Sequence, residues 1–177
     1  MLIQKIGSVH GRFQPFHNEH LDYILEAKKR CDFLWIGLTK YDRENLTNEC
    51  SHRELDSSNP WMYSERVMMI RLALLEAGIP LSKFAFIPFP IDDPHKISLY
   101  IPENVICYTT IREMWNIEKI KRLEKYGYQV YVLKEDYSED RLQGTNIREL
   151  IRNNNPSWTT MVPKAVSNFI ISLNKKI

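Results

Sequence analysis

Cysteine is scarce in this chain: Cys31, Cys50 and Cys107 are the three in 177 residues. They are odd in number and share no C-x-x-C spacing, which excludes a disulfide framework and a cysteine zinc site and leaves reduced, mostly buried thiols. Long apolar runs are lacking as well. None approaches the roughly 18 residues of a spanning helix, and no basic segment followed by an apolar one opens the sequence, so the expected address is the cytoplasm. Charge of one sign is not in excess, because 24 Lys and Arg against 22 Asp and Glu leave a net +2. That removes the electrostatic case for a nucleic-acid or membrane binder, which carries a basic run or stripe, and leaves room for a local anion site. Glycine and proline contribute only 6 and 9 residues, while 44% of the chain is hydrophobic and 26% charged. Such a length and balance fit one compact domain over 1–177, too short for two full domains and compatible with a homo-oligomer.

What the sequence does have is an alternation of apolar runs and helix-period stretches from end to end. Leu2 to Val9 reads as a strand feeding His10-Gly11, after which Leu21, Ile24, Leu25 and Ala27 recur at helical spacing up to Cys31. Phe33 to Leu38 is a run of buried-strand length, followed by a polar stretch from Thr39 to Asn59, too long for a tight connection and of the kind that is often functional. Asn59-Pro60 predicts a helix start, with Val67, Ile70, Leu74 and Leu75 as its apolar face and Gly78 as its end. Phe84 to Phe89 predicts a third strand, a loop punctuated by Pro90, Pro94 and Pro102 follows, and Asn104 to Thr109 predicts a fourth. A helix from about Glu113 to Tyr126 stops at Gly127 and gives way to a fifth strand, Tyr128 to Leu133. A charged loop, Lys134 to Arg141, then leads through Gly144-Thr145 to a short helix near Ile147 to Ile151, and Pro163 opens a last helix with Val166 and Ile170 inward. Strand and helix alternating at roughly 30-residue spacing predict an α/β Rossmann-like, doubly wound sheet of about five parallel strands with helices on both faces. In such sheets ligands sit beyond the carboxyl ends of the strands, where the strand order switches.

The segment from Gly11 to His20, G-R-F-Q-P-F-H-N-E-H, falls at such a strand end. Gly11 lets the chain turn sharply and Pro15 stiffens it, while His17 and His20, three apart where a helix begins, can present both imidazoles to one side. A helix N-terminus offers unbonded N–H groups and the positive end of its dipole. Two imidazoles and the guanidinium fork of Arg12 add donors suited to a polyphosphate. Metal binding or plain surface histidines is the bland alternative for an H-x-x-H pair; the glycine, arginine and proline at a strand-to-helix junction tip the reading toward phosphate.

These residues resemble the nucleotidyltransferases of the HxGH superfamily, in particular the nicotinamide-mononucleotide (NMN) adenylyltransferase branch. Two further blocks are similar: Tyr63-Ser64-Glu65-Arg66-Val67-Met68-Met69-Ile70, like that branch's helix with an E-R pair, and Gly144-Thr145-Asn146-Ile147-Arg148, like its S-x-T-x-I-R motif. The three blocks stand in the family's order and span most of the chain. The resemblance implies transfer of a nucleoside monophosphate from a triphosphate to a phosphorylated acceptor, with release of pyrophosphate and no covalent enzyme intermediate. It implies catalytic roles for His17, His20 and Arg148, and nucleotide or phosphate contacts from Gly11, Arg12, Phe13, Gln14, Gly144 and Thr145. Mg²⁺ is expected to travel with the triphosphate, since no carboxylate cage for a resident ion is evident. Structural alternatives stand beside these roles: a solvated helix arginine for Arg148, a helix cap for Thr145, an exposed ion pair for Glu65 and Arg66, and packing for Met68 and Met69. His10, His52 and His95 have no motif and are assigned no role.

The chain departs from the resemblance in two places. Glu19 stands where the family has glycine, adding bulk and negative charge near the expected polyphosphate; it is expected to reshape the nucleoside pocket or touch a ribose hydroxyl as a nucleotide-binding residue, or else to turn aside and complement the start of the first helix. The loop Pro90 to Pro102 lacks the tryptophan with which nicotinamide-nucleotide users stack the ring. Arg66, Tyr100 and Trp115 are the acceptor-binding candidates, Trp115 being equally suited to packing. The G-R-F-Q-P-F-H form nevertheless makes adenylyl transfer from ATP to NMN, giving NAD, the expected reaction, while Glu19 and the missing tryptophan favour the alternative. A CTP-dependent cytidylyltransferase acting on a phosphate- or phosphonate-bearing small molecule is the alternative, and a non-catalytic nucleotide-binding regulator the alternative of another class.

Overall fold

The computed structural model describes residues 5–42, 58–138 and 140–177. The predicted start of the first strand at Leu2, most of the polar stretch 39–59, Cys50 and His52 lie outside them. Five strands form one parallel sheet: β1 (Ile6–Gly11), β2 (Phe33–Leu38), β3 (Phe84–Pro88), β4 (Ile106–Ile111) and β5 (Val130–Glu135), in the order β3-β2-β1-β4-β5. The expected α/β Rossmann-like class is therefore the observed one, and the order reverses between β1 and β4. The helices are α1 (Asn18–Lys28), α2 (Tyr63–Glu76), α3 (Met114–Lys125), α4 (Gly144–Arg152) and α5 (Lys164–Ser172), with short 3₁₀ turns that include Pro94–Leu99 and Pro156–Thr160.

The described residues fall into two compact units. The first gathers those up to Arg12, Tyr23–Tyr41 and Ser82–Asp140, and the second Phe13–Asp22, Asp42, 58–81 and Arg141–Ile177. The first unit holds the sheet. Its two faces are set by register: Ser8 pairs with Trp35 and Cys107, and His10 with Gly37, so these side chains share the face where Trp35 and Cys107 pack with Leu123 of α3. Gly7 looks to the opposite face, where Tyr108 and Cys31 crowd it; a Cβ there would lie 2.5 Å from the Tyr108 ring. The Tyr23 hydroxyl, from α1, donates to the Tyr108 carbonyl at 2.6 Å and accepts from the His10 amide at 3.4 Å. The core under α3 comprises Ile87, Phe89, Ile91, Ile97, Ile101, Val105, Cys107, Leu123 and Tyr128.

The second unit is helical. α2 packs on α5, and the backbone amide of Ala165 donates to Glu76 at 3.2 Å. Several boundaries differ from the sequence expectation, among them that of β4, which runs Ile106–Ile111 and not Asn104–Thr109. α2 begins at Tyr63 rather than at Pro60, because the Glu65 carboxylate accepts from the Met62 amide at 2.7 Å and so caps the helix there. Its buried stripe is Met69, Ile70, Ala73 and Leu74, and Leu75 is exposed. Gly78 ends it as expected, with φ +79° just beyond the C-cap, as Gly127 with φ +85° ends α3. β5 is displaced to Val130–Glu135 because it is a half-exposed edge strand whose end carries charge instead of apolar residues. α4 opens at Gly144, three residues before the expected Ile147, so Thr145 lies inside the helix and does not cap it.

Candidate active site

The second unit brings together most of the residues singled out by the sequence. Between β1 and α1 the chain passes through Phe13, whose φ of +53° is rare for a bulky side chain and is held by packing: its ring meets Phe16 edge-on at 5.7 Å and His20 at 5.0 Å. His17 is buried and stacks on half-buried His20, ring centroids 3.5 Å apart. The His17 backbone amide donates to Nδ1 of His20 at 3.3 Å. Nδ1 is thereby an acceptor, so Nε2 carries the ring proton, the tautomer that donates to a phosphate oxygen. The three-residue spacing therefore does more than align two rings; it uses the start of α1 to orient one of them.

The first turn of α1 is tethered to the end of the chain. Asn18 donates through its amide to the Met161 carbonyl at 3.0 Å and through Nδ2 to the Thr160 carbonyl at 3.0 Å. One of the N–H groups expected to serve an anion is thus already used. Glu19 accepts from the backbone amide of Leu142 at 2.8 Å, which ties the first turn of α1 to the approach to α4. The Glu19 carboxylate is thus engaged by a backbone donor ahead of α4, a partner that neither sequence reading of this residue supplied.

Arg148 is the second organiser. Its guanidinium is 2% exposed, donates through Nη1 to the Gln14 carbonyl at 2.6 Å and through Nη2 to the Thr145 hydroxyl at 3.0 Å. Burial, and then the charge of Arg152, draw it below the ordinary guanidinium value, and it stays protonated. Nε has no hydrogen-bond partner among the described residues. The solvated-arginine reading is overturned by this burial. A guanidinium has five N–H groups, so two commitments leave three for a ligand. Gly144 is required by the same packing: a Cβ there would lie 2.6 Å from the Gln14 oxygen and 3.3 Å from Nη1.

The Gln14 side chain is occupied elsewhere. Its Nε2 donates to the Trp61 carbonyl at 2.8 Å and its Oε1 accepts from the Trp61 amide at 3.1 Å, a two-point clamp on the segment preceding α2. Glu65 and Arg66 do not form an exposed surface pair, since both are buried. Glu65 takes both its oxygens to Lys175, at 3.0 and 2.8 Å. Arg66 lies near Tyr63, whose hydroxyl is raised by burial while the Arg66 charge opposes the shift. The clamp and the Lys175 pair were not visible in the sequence, where nothing marks partners 47 and 110 positions apart.

Gly11, Arg12, Tyr100 and Trp115 belong to the first unit. Gly11 ends β1 and Arg12 is half-buried just beyond it. Tyr100 is 37% exposed at the end of the Pro94–Leu99 turn. Trp115 packs against the core with the Arg122 guanidinium 4.8 Å over its ring, an arrangement that serves packing. His95 is paired with Asp93 at 2.7 Å. No three His, Cys, Asp or Glu side chains among the described residues group to hold a metal ion, and no described helix is long and apolar enough to cross a membrane.

A parallel sheet with a β1-to-α1 turn carrying H-x-x-H, and a buried arginine at the start of a late helix, is the construction of a nucleotide-handling α/β enzyme. The chain belongs to the cytidylyltransferase-like family, whose model matches residues 9–155, and is a nucleotidyltransferase of the NMN-adenylyltransferase-like branch of the HxGH superfamily. It is 32% identical over 166 residues to the phosphonoformate cytidylyltransferase of Streptomyces viridochromogenes, covering 93% of this chain and 89% of that one. It is 31% identical over 172 residues to the nicotinamide-nucleotide adenylyltransferase of Saccharolobus solfataricus, covering 94% and 90%. Among solved structures it resembles a bifunctional NMN adenylyltransferase/ADP ribose pyrophosphatase from Francisella tularensis, with a TM-score of 0.71 and 19% identity. That likeness, which covers 98% of this chain and about half (51%) of the other, is one of fold. The Francisella protein has also been crystallised with AMP and a manganese ion.

Proposed function

We propose that the chain transfers the nucleoside monophosphate of a triphosphate to the phosphate of a small acceptor, with ATP and NMN as the substrate pair and NAD as the product. The observation that supports this most is the Arg148 brace, which fixes the backbone carrying His17 and His20 against the start of α4. Several archaeal relatives named as nicotinamide-nucleotide adenylyltransferases support the pair. We read the two units as parts of one nucleotidyltransferase domain over 1–177, since the family match runs through both.

In the reaction an oxygen of the acceptor phosphate attacks the α-phosphorus, forming one P–O bond. The bond to the bridging oxygen breaks, and pyrophosphate leaves with the electron pair. The acceptor is already a nucleophile, so the protein's contribution is alignment and charge neutralisation. His17 and His20 donate to the α-phosphate and to the leaving bridging oxygen, His20 through Nε2. Arg148, with its uncommitted N–H groups, and Thr145 hold the β- and γ-phosphates. Gly11, Arg12, Phe13, Gln14, Glu19 and Gly144 line or support the nucleotide segment. Arg66 and Tyr100 are the acceptor-side candidates. Trp115 is the weakest of that group, its ring being committed to Arg122 and the core. Magnesium enters as part of the triphosphate substrate. An enzyme of this kind acts in the cytoplasm on small molecules, without nucleic acid or membrane.

A second reading, cytidylyl transfer from CTP to a phosphonate- or phosphate-bearing acceptor, is favoured by the loop after β3. That loop has no tryptophan; its His95 is taken by Asp93, which leaves no aromatic clamp for a nicotinamide ring except Tyr100. The Streptomyces and Saccharolobus relatives, at 32% and 31% identity, do not separate the readings. Pyrophosphate release with ATP and CTP, each against NMN, nicotinate mononucleotide, phosphonoformate and small phosphate esters, decides. NAD formed only from ATP and NMN establishes the first reading, release only from CTP with a phosphonate the second, and no release from any pair a nucleotide-binding regulator. In the active pair, His20→Ala should lower kcat by about 10²–10³-fold, the scale for one lost transition-state donor, while the fold persists.

A further inference from the structure

The face of the sheet that α3 covers should be apolar along the β1–β4 seam, because strands buried on both faces read as Val, Ile and Leu. Here it is not. β1 contributes Ser8 and His10, and β4 contributes Cys107 and Thr109, with Ser8 and Cys107 in register; all are between 0 and 3% exposed. Both ring nitrogens of His10 and the Ser8 hydroxyl lack a hydrogen-bond partner among the described residues. The Thr109 hydroxyl makes one long bond, 3.4 Å, to the Thr110 carbonyl. α3 places Lys119, itself 7% exposed, over this strip, close enough for its charge to act on both His10 and Cys107. Unsatisfied polar atoms at this burial cost the desolvation of each group. Ser8 and His10 thus leave donors and acceptors in the sheet that a polar ligand would satisfy, within reach of the Lys119 charge.

The imidazole is also oriented. Phe89 stacks on it at 4.4 Å and 3° between planes, lying over Gly37, where a Cβ would come within 2.6 Å of the Phe89 ring. The ring face is fixed and the edge nitrogens are what remains to be used. Burial, and secondarily the Lys119 charge, hold His10 well below its ordinary value, so it is a neutral ring with one N–H donor and one acceptor. The strip lies at the reversal of strand order, His10 one residue before the carboxyl end of β1 and Thr109 two before that of β4, so it leads to the ends beyond which a doubly wound sheet receives its ligand.

We propose that His10, Thr109 and Lys119 form an oxyanion-recognition site in the first unit for the acceptor substrate, Lys119 supplying charge and His10 an N–H to one acidic oxygen. The proposal rests on the transfer reading above and adds to it an acceptor whose carboxylate, phosphonate or phosphate oxygen is read at β1 and β4. It leaves the triphosphate to the second unit.

The test separates binding from turnover. In protein labelled with ¹⁵N-histidine, phosphonoformate or NMN should shift the His10 ring nitrogens, whereas ATP or CTP alone should not. Lys119→Met should abolish the shift. His10→Phe, which keeps the stack on Phe89 and replaces unsatisfied nitrogens by apolar atoms, should fold with an unchanged or higher Tm. It should also raise the acceptor KM by about tenfold, with the triphosphate KM unaltered. His10 nitrogens that stay in place with every acceptor, or that move with the triphosphate alone, overturn the proposal; in the first case the strip is satisfied by internal water only. A His10 shift without pyrophosphate release keeps this site and removes the transfer reading, and release without the shift does the reverse.

Discussion

Gly144→Ala tests whether the seat of Arg148 sets the geometry of catalysis. The added Cβ would stand 2.6 Å from the Gln14 carbonyl oxygen, a backbone atom, and relief to between 3.0 and 3.4 Å requires 0.4 to 0.8 Å of movement. Because that oxygen is bound 2.6 Å from Arg148 Nη1, the movement either stretches this bond toward its limit or displaces the guanidinium with it. Two energies compete. Alanine gains about 1 kcal/mol of helix propensity over glycine, less at the first residue of α4, whereas overpacking costs about 1–3 kcal/mol. The clash wins, leaving about 1–2 kcal/mol of destabilisation and a Tm lower by about 3–6 °C in a chain of this length. Catalysis should suffer more than stability, because a misplacement approaching 1 Å costs on the order of 10²-fold in rate. We expect kcat lower by about 10- to 100-fold in a pyrophosphate-release assay, with a cooperative melt. A variant whose kcat stays within about twofold of the parent and whose Tm is not lowered refutes the reasoning, since the loop would then be free to adjust without consequence.

Other substitutions probe the neighbouring contacts. Glu19→Gly removes the acceptor for the Leu142 amide and places glycine in the first turn of α1; stability should fall by about 1–2 kcal/mol in urea melts and the triphosphate KM should rise, and a more stable variant with unchanged KM would argue for a passive Glu19. Lys175→Ala leaves the Glu65 carboxylate without its ion pair while the Met62 amide still holds it; a Tm lower by about 2–4 °C with unaltered kcat is expected, and a large kinetic loss would instead tie the pair to the active site. Burial pushes the Cys107 thiol up to about 12 and raises Cys31 as well. The thiolate fraction of Cys107 at pH 8 is then about 10⁻⁴, so maleimide followed by peptide mapping should leave Cys107 unmodified in the native protein and modified in urea.

Legibility in the sequence followed the continuity of the apolar run, and β4, whose Thr109 and Thr110 interrupt it, ends two residues later than its pattern predicts. β2, enclosed by β1 and β3, is a continuous apolar run and has the boundaries the sequence predicts, Phe33–Leu38. β5, at the edge, ends in Lys134 and Glu135, and its apolar pattern points two residues too early. The start of α2 was misplaced for a different reason: Pro60 is permitted in a first turn, but the carboxylate of Glu65, reaching back to Met62, decides where the turn begins. His17 and His20 were legible because three-residue spacing at a helix start is a local fact.

The rest of the site depends on commitments that sequence spacing cannot carry. Arg148 reads as a phosphate ligand from its motif, yet two of its five N–H groups are spent on Gln14 and Thr145, and the first of these partners is 134 positions away. Asn18 stands where a helix N-terminus offers its amide, and that amide is spent on Met161. Glu19 carries a charge that looks opposed to a polyphosphate, and the charge is engaged by the Leu142 amide. His10 shows the opposite sign. It has no motif and lies in a strand, yet neither ring nitrogen is spent within the described residues. What the protein can offer a ligand is thus the difference between the donors and acceptors its residue types supply and those its own backbone consumes. The first term is written in the motifs. The second exists only once register and long-range packing are in place: it consumes the side chain of Gln14 and the amide of Asn18 and leaves both ring nitrogens of His10 unspent among the described residues.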